Sequence, residues 1–415
     1  MAYRIAGIDV HKKVVVVVVA DAEDPETILE WRRYGTGHGA LKELLQWLQG
    51  LEVQEAVMES TAQYWKPVWM ELEPHLRLHL AQAQSNRAPQ GRKSDLGDAK
   101  RLVRRFVCGE LFLSFVPEPE QRGWRSLTRG RVQLVQEKVM LQNQVESLLE
   151  ECRIKLSSVV SDLFGASGLR ILRAMASGKS DPHQLAALGD ERLRCSREVL
   201  MDAVTGSMSE LQRTILRQHL ERIDILNRHI EELSRECATQ MKGNEDVMMR
   251  LITIPGVGAF AAQEIVAEIG PMASVFPSSK QLASWVGVCP GSQESAGENA
   301  SGRCAKGNRF LRRVLCQSAQ AAVRTKDCYL QTLFRRLVVR LGYIKAIWAI
   351  AHRICKIIWN ILRQGQSYIE KGEAVNPKAV QRCINHHLKA LRKLGYVLPQ
   401  LGSPTSAPTS TGTGA

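Results

Sequence analysis

Six consecutive valines, Val14–Val19, constrain this chain more than any other feature. Valine is stiff at χ1, which disfavours a helix, and it packs well on a pleated surface. A strand that is apolar at every position has no solvent face, so the run suits a strand buried on both sides of a sheet. It is far too short to cross a bilayer, for which a helix needs about 20 apolar residues. Ahead of it Tyr3–Val10 alternates and His11-Lys12-Lys13 supplies a turn, so the chain opens with two strands.

Further along, the pattern predicts a third strand over Ile28–Tyr34, a helix over Ala40–Leu48 and a short strand over Glu55–Met58. A helix over Trp65–Leu72, a strand over Leu76–Ala83 and a helix over Asp95–Phe106 follow. Three antiparallel strands followed by βα units is the order of ribonuclease-H-like nucleases. Beyond this region, Val132–Leu156 and Leu193–Cys237 are charged, long-periodic and poor in Pro and Gly. They read as two long helices forming an antiparallel coiled coil, with a looser insertion at 157–192. A helix, the turn Pro255-Gly256-Val257-Gly258 and a second helix occupy 246–270, and a short helix covers 280–287. A polar, glycine-rich segment runs from Gly291 to Gly307, and basic helices follow from Arg309 to about Leu362. The Ser/Thr/Pro-rich end after 402 is expected to be disordered. The domains so delimited are 1–118, 119–243, 244–400 and a tail at 401–415.

The formal net charge is +14, and its distribution says more than its total. Residues 301–400 hold 20 Lys or Arg against 3 acids, so the rest of the chain is slightly acidic. A folded segment with so one-sided a balance attracts polyanions, nucleic acid above all, through counterion release. The ten cysteines are scattered, and no two stand in a C-x-x-C pair. That fits reduced thiols in a cytosol better than a disulfide frame or a zinc site. The start, MAYRIAGIDVHKK, lacks a basic leader with a long apolar core, so a cytoplasmic protein without a membrane anchor is expected.

Four acids stand out by placement. Asp9 ends the first strand and Glu59 ends a later one. Asp95 and Asp98 are three apart at a helix start, which puts both on one face. If all four converge, they form the oxygen-donor set that Mg²⁺ or Mn²⁺ prefers. Two such ions about 4 Å apart can hold the attacking and leaving oxygens of a phosphodiester in line. Read alone, Asp95-x-x-Asp98 is equally a helix cap with its partner. His11 reads as a turn residue or phosphate contact rather than a ligand. Lys12 and Lys93, beside the acids, are candidate phosphate contacts. In the Gly256-Val257-Gly258 turn, Gly256 and Gly258 free the backbone to approach a phosphate, as in a helix-hairpin-helix.

At this point two motif sets resemble a known family. GIDVHK with Asp9, the acid Glu59, and KSDLGDAK with Asp95 and Asp98 look like a DEDD signature. LITIPGVG, LASWVGVCPGSQESAG and GRCAKGNRFLRR look like the matching transposase domain. The family is the DEDD insertion-sequence transposases, insertion-sequence family one-hundred-ten with its eleven-eleven subgroup, which includes the pilin-gene invertase. The resemblance spans roughly 1–115 and 245–370. It implies a RuvC-like N-terminal domain, a coiled-coil spacer and a mostly helical C-terminal domain with a serine nucleophile. A proline–four residues–serine context places that serine at Ser295, although Ala296 stands where many relatives have glycine; Ser292 and Ser301 are the alternatives. The resemblance also implies a DNA substrate, a Mg²⁺ or Mn²⁺ cofactor, a structured non-coding guide RNA and a dimer or tetramer joined by the coiled coil. Arg303, Lys306, Arg309, Arg312 and Arg313 are the expected nucleic-acid contacts. A serine hydroxyl needs activation to attack a phosphate, and the residues alone single out no particular serine. A hydrolytic junction nuclease using the same carboxylates, or a DNA scaffold without chemistry, stays open on the residues.

Overall fold

The computed structural model describes residues 3–60, 62–83, 85–86, 94–191, 193–291, 293–295, 298–301, 304–370 and 377–397. The chain divides into two compact units, Met1–Pro117 and Glu118–Ala415.

The first unit is a mixed α/β layer structure. Its elements are β1 (Arg4–Val10), β2 (Val14–Asp21), β3 (Ile28–Gly35), α1 (His38–Gly50), β4 (Val53–Glu59), α2 (Trp65–Leu72), β5 (Arg77–Ala81), α3 (Asp95–Val107) and β6 (Leu113–Ser114). The expected β-β-β-α-β-α-β-α order is present, with the short β6 added at the edge. The six strands lie in the order β3-β2-β1-β4-β5-β6. The first two pairings are antiparallel, and β1-β4 and β4-β5 are parallel.

The valine run explains the layering. Val15, Val17 and Val19 join Ala6, Ile8 and Val10 in a core with Leu44, Leu48 and Leu72 from α1 and α2. The opposite face carries Ile5 and Ala20, which pack with Val103 of α3. Leu102 of α3 meets Val57 and Ala81 on the same face. Gly7 decides how close α3 comes. A Cβ built there would lie 2.3 Å from the Ala99 carbonyl oxygen and 2.7 Å from Val103 Cγ2. Only glycine leaves room for this helix to rest directly on β1.

The second unit is helical. It begins with α4 (Pro119–Glu151), followed by the short α5 (Leu156–Val159), α6 (Ala166–Ala176), α7 (Pro182–Ala186) and α8 (Arg197–Val204), and then α9 (Glu210–Gln240). Trp124 near the start of α4 donates its indole N–H to the Gln240 carbonyl at the end of α9, 2.9 Å away, so these two long helices run antiparallel. Two expectations are corrected here. Leu193–Cys237 is not one helix: the chain breaks after α8, where Gly206 packs so tightly that a Cβ would sit 2.4 Å from the Cys152 carbonyl oxygen. Ser209 then restarts it with a full capping box to Gln212. Nor is the described part of that insertion, 157–191, loose, because Ile171, Leu172, Met175 and Leu185 are buried in one core with residues of α4 and α9.

The remaining elements are α10 (Glu245–Leu251), α11 (Ala259–Ile269), α12 (Ser279–Val286), β7 (Gln293–Ser295), β8 (Glu298–Ser301), α13 (Arg309–Ala322), α14 (Tyr329–Leu341), α15 (Tyr343–Gln364) and α16 (Pro377–Lys393). β7 and β8 form a small antiparallel hairpin. Among the described residues no helix is long and apolar enough to cross a membrane. The nine cysteines whose side chains are described are free thiols.

A candidate metal centre at the end of the central strands

Strand register brings the acids together. The pairing of β1 with β4 ends at Ile8 with Met58, so Asp9 and Glu59 follow at the same level on adjacent parallel strands. Asp9 lies two residues after Gly7 and therefore faces α3. Because α3 rests on Gly7, its first turn stands over Asp9. That turn is capped by Ser94, whose hydroxyl accepts from Gly97 N–H. The cap belongs to Ser94, so Asp95 and Asp98 are not spent on capping, and both sit where the helix dipole favours negative charge.

One ligand atom each from Asp9, His11 and Asp95 fits within 4.8 Å of the others. His11 Nε2 is 3.0 Å from Asp9 Oδ2 and 3.4 Å from Asp95 Oδ1. The ring is held there by the turn, in which His11 N–H donates to the Val14 carbonyl. Asp9 is 7% exposed. Burial pushes its carboxyl above the ordinary carboxylate range, His11 opposes that shift, and Asp98 and Asp95 add to it. A carboxylate that is costly to ionise beside two others is the arrangement a bound cation relieves.

The other two acids have protein partners. Asp98 is buried and ion-paired with Arg101 one turn along. Glu59 accepts from Asn86 Nδ2 at 3.0 Å. Asn86 is 3% exposed, Arg101 Nε donates to its carbonyl, and its side-chain Oδ1 has no partner. The donors that meet are the Asp9 and Asp95 carboxylate oxygens and the His11 imidazole, an oxygen-rich set that suits a hard divalent cation. Arg33 was not foreseen. Asp9 pairs with Val16 and Val16 with Arg33 across three strands, so Arg33 emerges on the same face. It reaches Asp95 Oδ2 at 3.1 Å.

The basic candidates fall in several places. Lys12, Lys306 and Arg309 are exposed. Arg312 lies over the Trp348 ring, 5.2 Å from its centroid. Arg313 is ion-paired with Glu264 inside the second unit. Lys93 and Arg303 lie outside the described residues. Gly256 is accounted for by packing. Its φ is 85°, and a Cβ would meet the Ser318 carbonyl oxygen at 2.2 Å and Ala322 N at 2.6 Å. Gly258 stands at the start of α11 without a side-chain cap.

Ser295 ends β7, opposite Glu298. Ser301 pairs with Gln293, and Ser292 lies outside the described residues. The segment is pinched at its base. A Cβ on Gly287, whose φ is 78°, would lie 2.5 Å from the Ala305 carbonyl oxygen, and one on Gly307 would lie 2.3 Å from that of Val286. Next to the pinch, Asn308 caps α13 and donates to Glu268 Oε2 at 2.6 Å. Glu268, 1% exposed, also takes a two-pronged ion pair from Arg129 of α4 at 2.7 and 2.8 Å. Arg129→Ala strips this buried carboxylate of its main partner and is expected to cost about 3 kcal/mol. Urea unfolding checks this, and adding Glu268→Gln should restore part of the loss.

Comparison with known proteins points to one family of enzymes. A DEDD transposase family model of the IS110 group matches residues 6–154, and the IS116/IS110/IS902 transposase family model matches 248–334. A probable family 20 transposase of Pseudomonas aeruginosa is 26% identical over 317 residues, 74% of this chain and 83% of that protein. The transposase for insertion sequence element IS1111A of Coxiella burnetii is 26% identical over 275 residues, 65% of each chain. The transposase for IS1328 of Yersinia enterocolitica is 22% identical over 277 residues, 66% of this chain and 72% of the other. An acidic cluster on a mixed α/β sheet, joined to these matches, defines a DNA transposase of the DEDD kind. The two matched segments follow in the expected order, the first running through α4 and the second beginning after α9. The chain belongs to the IS110 family of insertion-sequence transposases.

Proposed function

We propose that this chain cuts and rejoins the DNA strands of an insertion sequence, combining a RuvC-like carboxylate domain with a serine nucleophile. The observation that carries the reading is the gathering of Asp9, His11 and Asp95 within one cation's reach. Asp9, Glu59, Asp95 and Asp98 would hold Mg²⁺ or Mn²⁺, with His11 alongside. Such ions, when bound, supply Lewis-acid stabilisation of charge on phosphodiester oxygens. Arg33 orients Asp95, and Arg101 orients Asp98 and the Asn86 backbone.

Ser295 is the nucleophile in this reading. Its Oγ bonds to phosphorus as the bond to the sugar oxygen breaks; Oγ loses its proton and the leaving oxygen gains one. The phosphoserine ester keeps the bond energy, and attack by a sugar hydroxyl reseals the strand and restores the serine. Arg303, Lys306 and Arg309 counter charge on the phosphoryl oxygens. Lys12 and Lys93 take phosphates near the carboxylates, and Gly258 and Arg312 contact nucleic acid in the second unit. A structured guide RNA is inferred from the family resemblance alone. Assembly as a dimer or tetramer through a coiled coil of α4 and α9 is supported by Val135, Val139 and Met140, which stand exposed on α4. A cytoplasmic site of action fits a DNA substrate.

The test uses labelled element-end DNA, with and without Mg²⁺, resolved in SDS. Wild type with Mg²⁺ should give an SDS-resistant adduct. Ser295→Ala should give none while still shifting DNA in a native gel, and Ser292→Ala and Ser301→Ala should keep the adduct. An undiminished adduct in Ser295→Ala would falsify the serine's role. Free ends without any adduct in wild type would assign the reaction to water and a junction nuclease.

A further inference from the structure

Helices α14 and α15 meet at an elbow that the site above does not use. Of the thirteen residues of α14, only Leu330 is buried. Leu333, Phe334, Leu337, Val338 and Leu341 are half-covered, while Arg335, Arg336, Val339 and Arg340 are exposed. The exposed four form two adjacent rows at i and i+4 on one face. Gly342, at φ 74°, turns the chain without a linker, and α15 opens with Tyr343, Ile344 and Lys345, all exposed. Val339 is 90% exposed and Ile344 73%.

The charge on this elbow has one sign. From Tyr329 to Gln364 there are seven Lys or Arg and no Asp or Glu. Among the described residues, Arg335, Arg336, Arg340 and Lys345 have no carboxylate partner. A helix face built only for solvent mixes signs and pairs them at i,i+4. Cations interleaved with exposed aliphatic tips instead match a polyanion that also offers apolar surface.

The geometry points to the α14–α15 elbow as a docking surface for duplex DNA. Arg335, Arg336, Arg340 and Lys345 take backbone phosphates, and Val339 and Ile344 press against a groove. Aliphatic side chains flanked by cations are how proteins wedge base steps. A second copy of the chain is a poorer occupant, because a self-complementary contact would set unpaired cations against their own copies. The elbow lies almost wholly beyond the matched 248–334 segment. The inference rests on the DNA-recombining reading above and names a surface for that substrate.

The experiment measures binding of the full chain to element-end duplex by fluorescence anisotropy, from about 50 to about 300 mM salt. Combined alanine substitution of Arg335, Arg336, Arg340 and Lys345 should flatten log K against log salt by about 3–4, near 0.9 for each phosphate lost. Val339→Ala with Ile344→Ala should leave that slope unchanged and weaken binding about tenfold, most at sites rich in TA or CA steps. Both variants should melt as wild type does. An unchanged slope and affinity in the cation variant overturns the proposal. So does a fall in oligomer mass, or a loss of anionic-vesicle binding with DNA binding intact. Asp9→Asn serves as the control, since it should bind DNA fully. Wild type that binds through the elbow yet never cuts sinks the recombinase reading alone. Wild type that cuts, with DNA binding indifferent to the elbow variants, sinks the elbow alone.

Discussion

Asp9→Asn should lower strand cleavage about a thousandfold or more while DNA binding stays intact. Removing a buried carboxylate of the cluster withdraws several kcal/mol of charge stabilisation at the reacting phosphate, and each 1.4 kcal/mol is about tenfold in rate. The same substitution should raise the melting temperature of the metal-free protein at neutral pH. The sign follows from the direction of the shift: burial holds the Asp9 carboxyl above its ordinary range. The stability tied to it is therefore present below the unfolded-state value and lost as pH rises through the folded one. Asparagine removes that loss. Mg²⁺ or Mn²⁺ should raise the melting temperature of wild type by mass action and leave the variant unmoved. Equal stabilisation of both proteins by the ion would place the cation elsewhere.

Gly7→Ala should be the more damaging change to the first unit. The added methyl would sit 2.3 Å from a backbone oxygen of α3, which cannot rotate away as a side chain can. Overpacking against yielding neighbours costs about 1–3 kcal/mol. Here α3 must lift from β1, parting Asp95 and Asp98 from Asp9. A drop of about 10 °C or more in melting temperature is expected, with loss of cation stabilisation. Val103→Ala in the same chain relieves only the second clash, with Val103 Cγ2, so it should recover little. Full recovery would show that the backbone oxygen is not the obstacle.

The parts of this structure legible in the sequence are those that depend on local pattern. Val14–Val19 has no polar face to misread, and Asp95 and Asp98 share a face by helix geometry whatever lies around them. Asp9 and Glu59 could be placed at strand ends because the apolar alternation stops there. The rest needed register between distant segments. Arg33 joins the site only because Val16 sits between it and Asp9. His11 looked like a turn residue, which it is, and the turn is what aims its ring at two carboxylates. Asn86 lies in a stretch without periodicity, so nothing in the sequence marks it. In the second unit, glycine carried two meanings that the sequence does not separate. Gly256 resembled a phosphate-binding turn, and its missing side chain also makes room for α13. Gly206 ends what charge and periodicity had suggested was one continuous helix.

The crossing of Val286-Gly287 with Ala305-Gly307 has a consequence for how this protein tolerates change. Two strands of backbone locked at a single crossing isolate what lies beyond from what lies before. Residues added between Val288 and Cys304 should leave α12 and α13 in place, and doubling the length of that segment costs only about 0.6 kcal/mol in closure entropy. A side chain added to either glycine at the crossing shifts both helices at once.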